Sequence, residues 1–200
     1  MTKTLLIATS NLKKCREMRE ILEAANLSFE LKTLADFPHI PPVDETGETF
    51  IENAHLKAKA AVEATGLISI ADDGGLSIDA LGGSPGVKSH RFLGEETPFD
   101  IKMKRILEMM HDTPEAERTA RFVSAVVIAA PDGRTWECVG TCEGLIAQTQ
   151  KGEHGFGYDP IFFLPEQRRH LAELIPAEKH RVSHRGKSLA CALETLKTLF

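Results

Sequence analysis

The residues best suited to chemistry in this chain are two adjacent carboxylates. In ISIADDGGLSIDAL, residues 68–81, a short apolar run delivers the chain onto Asp72 and Asp73, and Gly74 and Gly75 follow without side-chain bulk. Adjacent carboxylates repel unless a cation neutralises them. Two readings are open on this stretch alone. In one, the acids end a strand, where ligands gather in α/β sheets, and face Mg2+, which favours one or two carboxylates completed by water and substrate phosphates. In the other, Asp-Gly is a turn closing a hairpin, with strands at 67–71 and 76–81 on either side.

Positive charge is offered elsewhere. TSNLKK, 9–14, reads as a strand end, a polar turn and a helix start, with Lys13 and Lys14 in the first helical turn. Cations there oppose the helix dipole by roughly 0.3–1 kcal/mol each. A bound anion reverses that cost, because it meets free backbone N–H groups, the dipole and two ammonium groups together; the alternative is a pair of ordinary exposed lysines. In ETGETFIENAHLKAKA, 45–60, Asn53 and Lys57 stand four apart and share a helix face, a solvated face being the alternative. Asp44 and Glu45 precede that helix in a loop free to reach a metal. HRVSHRGKSL, 180–189, concentrates base in His180, Arg181, His184, Arg185 and Lys187. Its Gly-Lys-Ser is not a P-loop, since Arg181 occupies the position that needs glycine; His184 and Arg185 read as a pair of hydrogen-bond donors. GEHGFGYDP, 152–160, offers backbone access beside Phe156 and Tyr158, an arrangement suited to a planar base stacked on a ring. There is no HExxH and no Ser/His/Asp order.

The elements that must position these groups follow from periodicity. Residues 3–9 and 28–35 read as strands, and 12–25 as a helix capped by Ser10 or Asn11. Thr49 and Glu52 form a capping box for a helix ending at Thr65, with Gly66 as its stop. A further helix is predicted over 98–112, a long hairpin over 121–148 turning at Pro131-Asp132-Gly133, a short strand at 160–165 and a last helix over 186–200. This order is mixed α/β, and the central hairpin argues against a purely parallel sheet.

Composition sets the limits. With 200 residues the chain fits one domain, or one domain with two lobes, and buries a core without staples. A net charge of −5 does not recruit nucleic acid by bulk electrostatics. No run reaches the ~18–20 apolar residues of a membrane span, and the first eleven residues lack a signal-peptide pattern, so a cytoplasmic chain is expected. The four cysteines, Cys15, Cys138, Cys142 and Cys191, form no CxxC and are read as reduced thiols, with Cys138 and Cys142 as core filler on one strand face.

Together, TSNLKKCRE, ETGETFIENAHLKA, ADDGGLSIDALGGSPGV, GFGYDPIF and SHRGKSLA resemble the Ham1-like inosine/xanthosine triphosphate pyrophosphatases. Each motif is weak alone; five in the family's order across nearly the whole chain are specific. The resemblance implies an elongated mixed β-sheet flanked by helices, two lobes with a central substrate cleft within residues 1–200, and a homodimer. It implies a Mg2+-dependent hydrolysis of ITP, dITP and XTP to monophosphate and pyrophosphate, which clears deaminated purines from the nucleotide pool. Position by position, Thr9, Ser10, Asn11, Leu12, Lys13 and Lys14 match the triphosphate-binding segment and Lys57 a phosphate-contacting lysine. Glu45, with Asp44, matches the acidic metal position, and Asp73 the acid with both metal and general-base roles; Lys14 and Lys57 assist it. Phe156, Gly157, Tyr158 and Asp159 match the base-binding loop, and Lys179, His184 and Arg185 the C-terminal base-recognition residues. The chain departs from the family where Gly74 replaces a serine that contacts substrate, at His90, where a small residue is usual, and at Ser10, where glycine is frequent.

Overall fold

The structure is a computed structural model that describes residues 3–200. In chain order it contains β1 (Lys3–Ile7), α1 (Leu12–Ala24), β2 (Phe29–Thr33), α2 (Phe50–Thr65), β3 (Ile68–Ile78), α3 (Phe99–Met109), β4 (Thr119–Ala129), β5 (Thr135–Ile146), β6 (Phe162–Leu164), β7 (Arg169–His170), α4 (Pro176–Val182) and α5 (His184–Leu199). The strands form one sheet in the order β2-β1-β3-β4-β5-β6-β7. It is mixed: β1 runs parallel to β2 and β3, whereas β6 is antiparallel to β5 and β7. The fold class is therefore mixed α/β, a sheet flanked by helices.

The chain divides into two compact units, one of residues 1–73, 124–140 and 184–200 and one of residues 74–123 and 141–183. In the first unit the two-residue period of the strands sorts side chains onto two faces. Leu5, Ile7, Ile70, Val126 and Ile128 meet Met18 and Leu22 of α1 and Leu189, Ala192 and Leu196 of α5. Leu6, Ala8, Ala71, Val127 and Ala129 meet Ala54, Ala58 and Ala61 of α2. Helix α2 is delimited as its sequence predicts. Thr49 Oγ1 accepts from Glu52 N at 3.2 Å, Glu52 Oε2 accepts from Thr49 N at 3.2 Å, and Gly66 takes the left-handed φ of 68°.

Helix α5 is seated by absence of bulk: a Cβ on Gly140 of β5 would lie 2.2 Å from His184 O and 2.5 Å from Ser188 N. A disulfide between Cys138 and Cys191 joins the same strand to the same helix. This corrects the expectation of four reduced thiols and of Cys138 as filler. The two cysteines are 53 residues apart, and only the seating of α5 on β5 makes them neighbours. Cys142 is buried, as expected.

In the second unit one core joins Leu76 and Ile78 to Met103 and Ile106 of α3, Met110 just after it, Phe122 of β4, and Tyr158, Phe162 and Leu171. Buried Arg118 ties it together by donating to the carbonyls of Met110 (2.6 Å), Ile146 (2.6 Å) and Ala147 (3.0 Å).

Two boundaries differ from those the sequence predicts. Residues 68–78 are a single strand, with no hairpin turn at Asp72–Gly75. Gly75 is small for a different reason: a Cβ there would lie 2.3 Å from Ser89 Oγ and 2.7 Å from Gly86 O, so it marks a close approach inside a strand. The last helix begins at His184, not 186, and is preceded by α4, which the sequence did not reveal as a helix.

Candidate active site

In the first unit the carboxyl end of β3's apolar run brings the two acids into contrasting surroundings. Asp72 has no exposure. Its oxygens accept from Ser124 Oγ at 2.7 Å and from Arg185 Nε and Nη2 at 3.2 Å each, and Lys14 Nζ lies 3.0 Å away. Burial pushes its pKa up, but Arg185, Lys14, the Ser124 hydroxyl and Lys57 more than offset this and hold the carboxyl well below its usual range. Asp73 accepts from Lys57 Nζ at 3.2 Å and Asn53 Nδ2 at 3.3 Å, with Lys14 Nζ at 3.6 Å. Here burial dominates the opposing Lys14 and Lys57 charges, Glu45 and Asp72 add to it, and the pKa is raised. Of two adjacent acids, the surroundings push one pKa down and the other up.

The supports come from α1, α2 and the loop before α2. Lys57 bridges Asp73 to Glu45, whose Oε1 is 2.6 Å from Nζ. Burial lowers the Lys57 pKa, but Asp73 and Glu45 outweigh it, so the ammonium stays charged. Asn53, fully buried, accepts from Gly47 N at 2.8 Å while donating to Asp73, which pins the 45–47 loop beside the acid. Asp44 is exposed, and it is the Glu45 carboxylate that is hydrogen-bonded to Lys57. Within this network four carboxylates, Glu17, Glu45, Asp72 and Asp73, meet three cations, Lys14, Lys57 and Arg185. Among the described residues no group of three or more His, Cys, Asp or Glu forms a ready-made metal cage. Glu45 and Asp73, both in contact with Lys57, are oxygen donors of the kind that suits a hard divalent ion taking its remaining ligands from phosphate and water.

The 9–14 segment is built by Asn11. Its Oδ1 accepts from Lys13 N and Lys14 N at 3.1 Å each, and Asn11 N donates to Thr9 Oγ1 at 3.2 Å. Asn11, not Ser10, is therefore the N-cap, and two of the backbone N–H groups expected to meet an anion are already taken by it. Ser10, Leu12 and Lys13 are exposed, and Lys14 turns in toward the acids.

The second unit holds the glycine-rich loop. Asp159 Oδ2 accepts from Phe156 N at 2.7 Å and Lys179 Nζ at 2.6 Å, and Nζ also lies 4.8 Å from the Phe156 ring centre. Asp159 and Lys179 are 2% and 3% exposed, so their pair is a buried clasp that closes residues 156–159. Tyr158 is buried, its hydroxyl donates to Ser89 O at 2.8 Å, and burial raises its pKa. Gly157 takes a positive φ of 68°, which lets the loop turn between the two aromatic residues.

A chain with this sheet order and lysine-flanked acid pair has known relatives. The model of the Ham1 family matches residues 5–195. The chain belongs to the Ham1 family. It is 43% identical over 196 residues to a dITP/XTP pyrophosphatase of Desulforamulus reducens, covering 98% of this chain and 96% of that one. It is 46% identical over 189 residues to a dITP/XTP pyrophosphatase of Bacillus cereus, covering 94% and 91%. A solved HAM1 protein from Coxiella burnetii superposes with a TM-score of 0.88 at 37% identity, covering 100% of both chains. A nucleoside-triphosphatase / dITP/XTP pyrophosphatase from Mycobacterium abscessus superposes with a TM-score of 0.76 at 40% identity, covering 95% and 98%.

In this Ham1 chain the residues that the sequence singled out separate by unit. Lys14, Glu45, Lys57 and Asp73 come together in the first, and Phe156 to Asp159 with Lys179 in the second. Arg185, expected to donate to a base, gives Nε and Nη2 to Asp72 and Nη1 to Glu17 at 2.7 Å. His184 is 5% exposed at the start of α5. Sequence reasoning missed Glu17, Ser124 and Ser188. Ser124 donates to Asp72 and sits 2.8 Å from Ser188 Oγ. The available signal was a single hydroxyl in the apolar run RFVSAVVIAA.

Proposed function

We propose that the chain hydrolyses the α–β phosphoric anhydride bond of ITP, dITP and XTP, releasing pyrophosphate and the nucleoside monophosphate. The observation that carries this reading is Asp73: a buried carboxylate with a raised pKa, held by Lys57, Asn53 and Lys14 at 3.2–3.6 Å. Such an acid is suited to orient a water and take its proton, contacts in a resting site being longer than in the reacting complex. Phosphoryl transfer needs charge neutralisation and alignment more than covalent help. Lys14 and Lys57 supply positive charge for the phosphates, Lys13 adds to it from the surface, and Asp72 keeps Lys14 pointed inward. Glu45 and Asp73 are the residues suited to hold Mg2+, which when bound would neutralise phosphate charge.

Base selection is assigned to Phe156, Gly157 and Tyr158, closed by Asp159 and Lys179, with His184 as a donor to the 6-oxo group. Arg185 contributes by fixing Asp72. Adenine presents an amino donor where hypoxanthine presents a carbonyl, and a site built on buried donors can reject the mismatch by up to ~10⁴–10⁵. A homodimer belongs to the same reading, and light scattering of the purified chain checks it.

The test is pyrophosphate release from ITP, XTP, dATP and dGTP with Mg2+, for wild type and Asp73→Asn. Release from ITP and XTP far above dATP and dGTP, reduced by roughly 10²–10⁴ in Asp73→Asn, is the expected result. Equal rates on all four would refute the substrate assignment, and an Asp73→Asn variant as active as wild type would refute the base.

A further inference from the structure

Lys102 is a buried charge in the second unit with no carboxylate hydrogen-bonded to it among the described residues. It sits in α3 with no exposure, and among the described residues its ammonium makes one hydrogen bond, to the main-chain oxygen of His90. The Phe99 ring centre lies 5.0 Å from Nζ. Burial lowers the Lys102 pKa against the distant attraction of Glu95 and Glu96. A buried ammonium is expensive, and apolar residues of similar volume often stabilise a fold as well or better. Stability alone therefore gives no reason for lysine at this position.

What the ammonium holds gives a reason. The chain from Gly86 to His90 is gripped at each step. Ser89 Oγ donates to Gly86 O at 2.6 Å and accepts from Leu76 N at 2.9 Å. Gly75 leaves space for that hydroxyl. Ser89 O accepts from Tyr158 Oη, and the next carbonyl, His90 O, accepts from Lys102. The Phe99 ring meets Tyr158 edge-on at 5.1 Å and His90 at 6.4 Å. A Cβ on Gly157 would touch Phe99 Cε1 at 3.7 Å. The His90 side chain itself is 54% exposed.

We infer that Lys102 is a positioning residue for nucleobase recognition: by holding the His90 carbonyl it fixes residues 89–91 against Tyr158 and Phe99, and this segment is part of the surface that reads the base. The inference rests on the proposed role of the 156–159 loop in binding the base. Lys102 touches neither phosphate nor the attacking water in this account, so its loss acts on base affinity and leaves the chemical step alone.

The experiment compares wild type with Lys102→Met, which keeps volume and removes the donor. KM for ITP should rise about tenfold with kcat unchanged, as for loss of one hydrogen bond to a charged donor. Amide hydrogen exchange should accelerate in residues 86–92 while β1 and α1 keep their protection. Unchanged KM and unchanged exchange would overturn the inference, as would a fall in kcat accompanied by loss of protection throughout the chain. If Lys102→Met does not fold, Lys102→Gln, which removes the charge but keeps a polar side chain, must loosen residues 86–92 and raise KM in the same way; intact protection of 86–92 in that variant overturns the inference. The exchange measurement needs no turnover, so inactive wild-type protein would refute the hydrolytic reading separately.

Discussion

Two buried carboxylates, Asp73 in the first unit and Asp159 in the second, each face lysine, and they are held very differently. Asp159 receives short contacts from Lys179 Nζ at 2.6 Å and Phe156 N at 2.7 Å. Asp73 receives three longer ones, 3.2–3.6 Å, from Lys57, Asn53 and Lys14. Short charge-assisted bonds fix geometry. Longer ones leave a carboxylate able to exchange partners, and burial has moved the Asp73 pKa upward as well. Asp72 belongs with Asp159 in this respect. It is saturated by Arg185, Lys14 and Ser124 and acts as scaffold. On the proposed reading of Asp73 as general base, charge type and burial do not distinguish a reagent from a clasp; the closeness of its partners does.

The largest effect that sharpens this contrast is expected from Asp73→Asn: pyrophosphate release from ITP should fall by roughly 10²–10⁴, with a melting temperature close to wild type by calorimetry. Asp159→Asn should do the reverse. It leaves the Lys179 ammonium buried beside a neutral amide, costing on the order of 3–5 kcal/mol in denaturant unfolding, and its surviving folded fraction should keep kcat while KM rises. If the two variants gave the same profile, the division into reagent and clasp would be broken. Ser124→Ala removes a single hydrogen bond to the ionised Asp72. It should cost about 1.5–3 kcal/mol in the same unfolding measurement and lower kcat less than Asp73→Asn does. The smallest effect is expected from Gly74→Ser, which adds a hydroxyl next to Asp73: KM for ITP should fall a few-fold, and stability should hardly move.

Much of the site was legible in the chain because it depends on local rules. Thr49, Glu52 and Gly66 delimit α2 through caps that act within four residues, and the i,i+4 spacing of Asn53 and Lys57 places both toward Asp73. The alternation of Leu5, Leu6 and Ile7 already assigns residues to the two faces of β1. The DDGG stretch was ambiguous, because Asp-Gly serves a turn as well as a close approach. Only the packing of Ser89 and Gly86 over Gly75 decides it.

The sequence by itself determined the mixed α/β order, the lysine-bearing start of α1, the cap-bounded α2 and the acid pair that follows it, since each arises from residues near in the chain. Tertiary structure alone decided the rest: that Asp72 is fully buried against Arg185 and Ser124 while Asp73 faces Lys57 and Asn53, that Arg185 serves Asp72 from 113 positions away, that Glu45 joins Lys57, and that Cys138 bonds to Cys191. A carboxylate's character is set by desolvation and by the charges within a few ångströms of it, and those charges come from segments that only the folded sheet brings together.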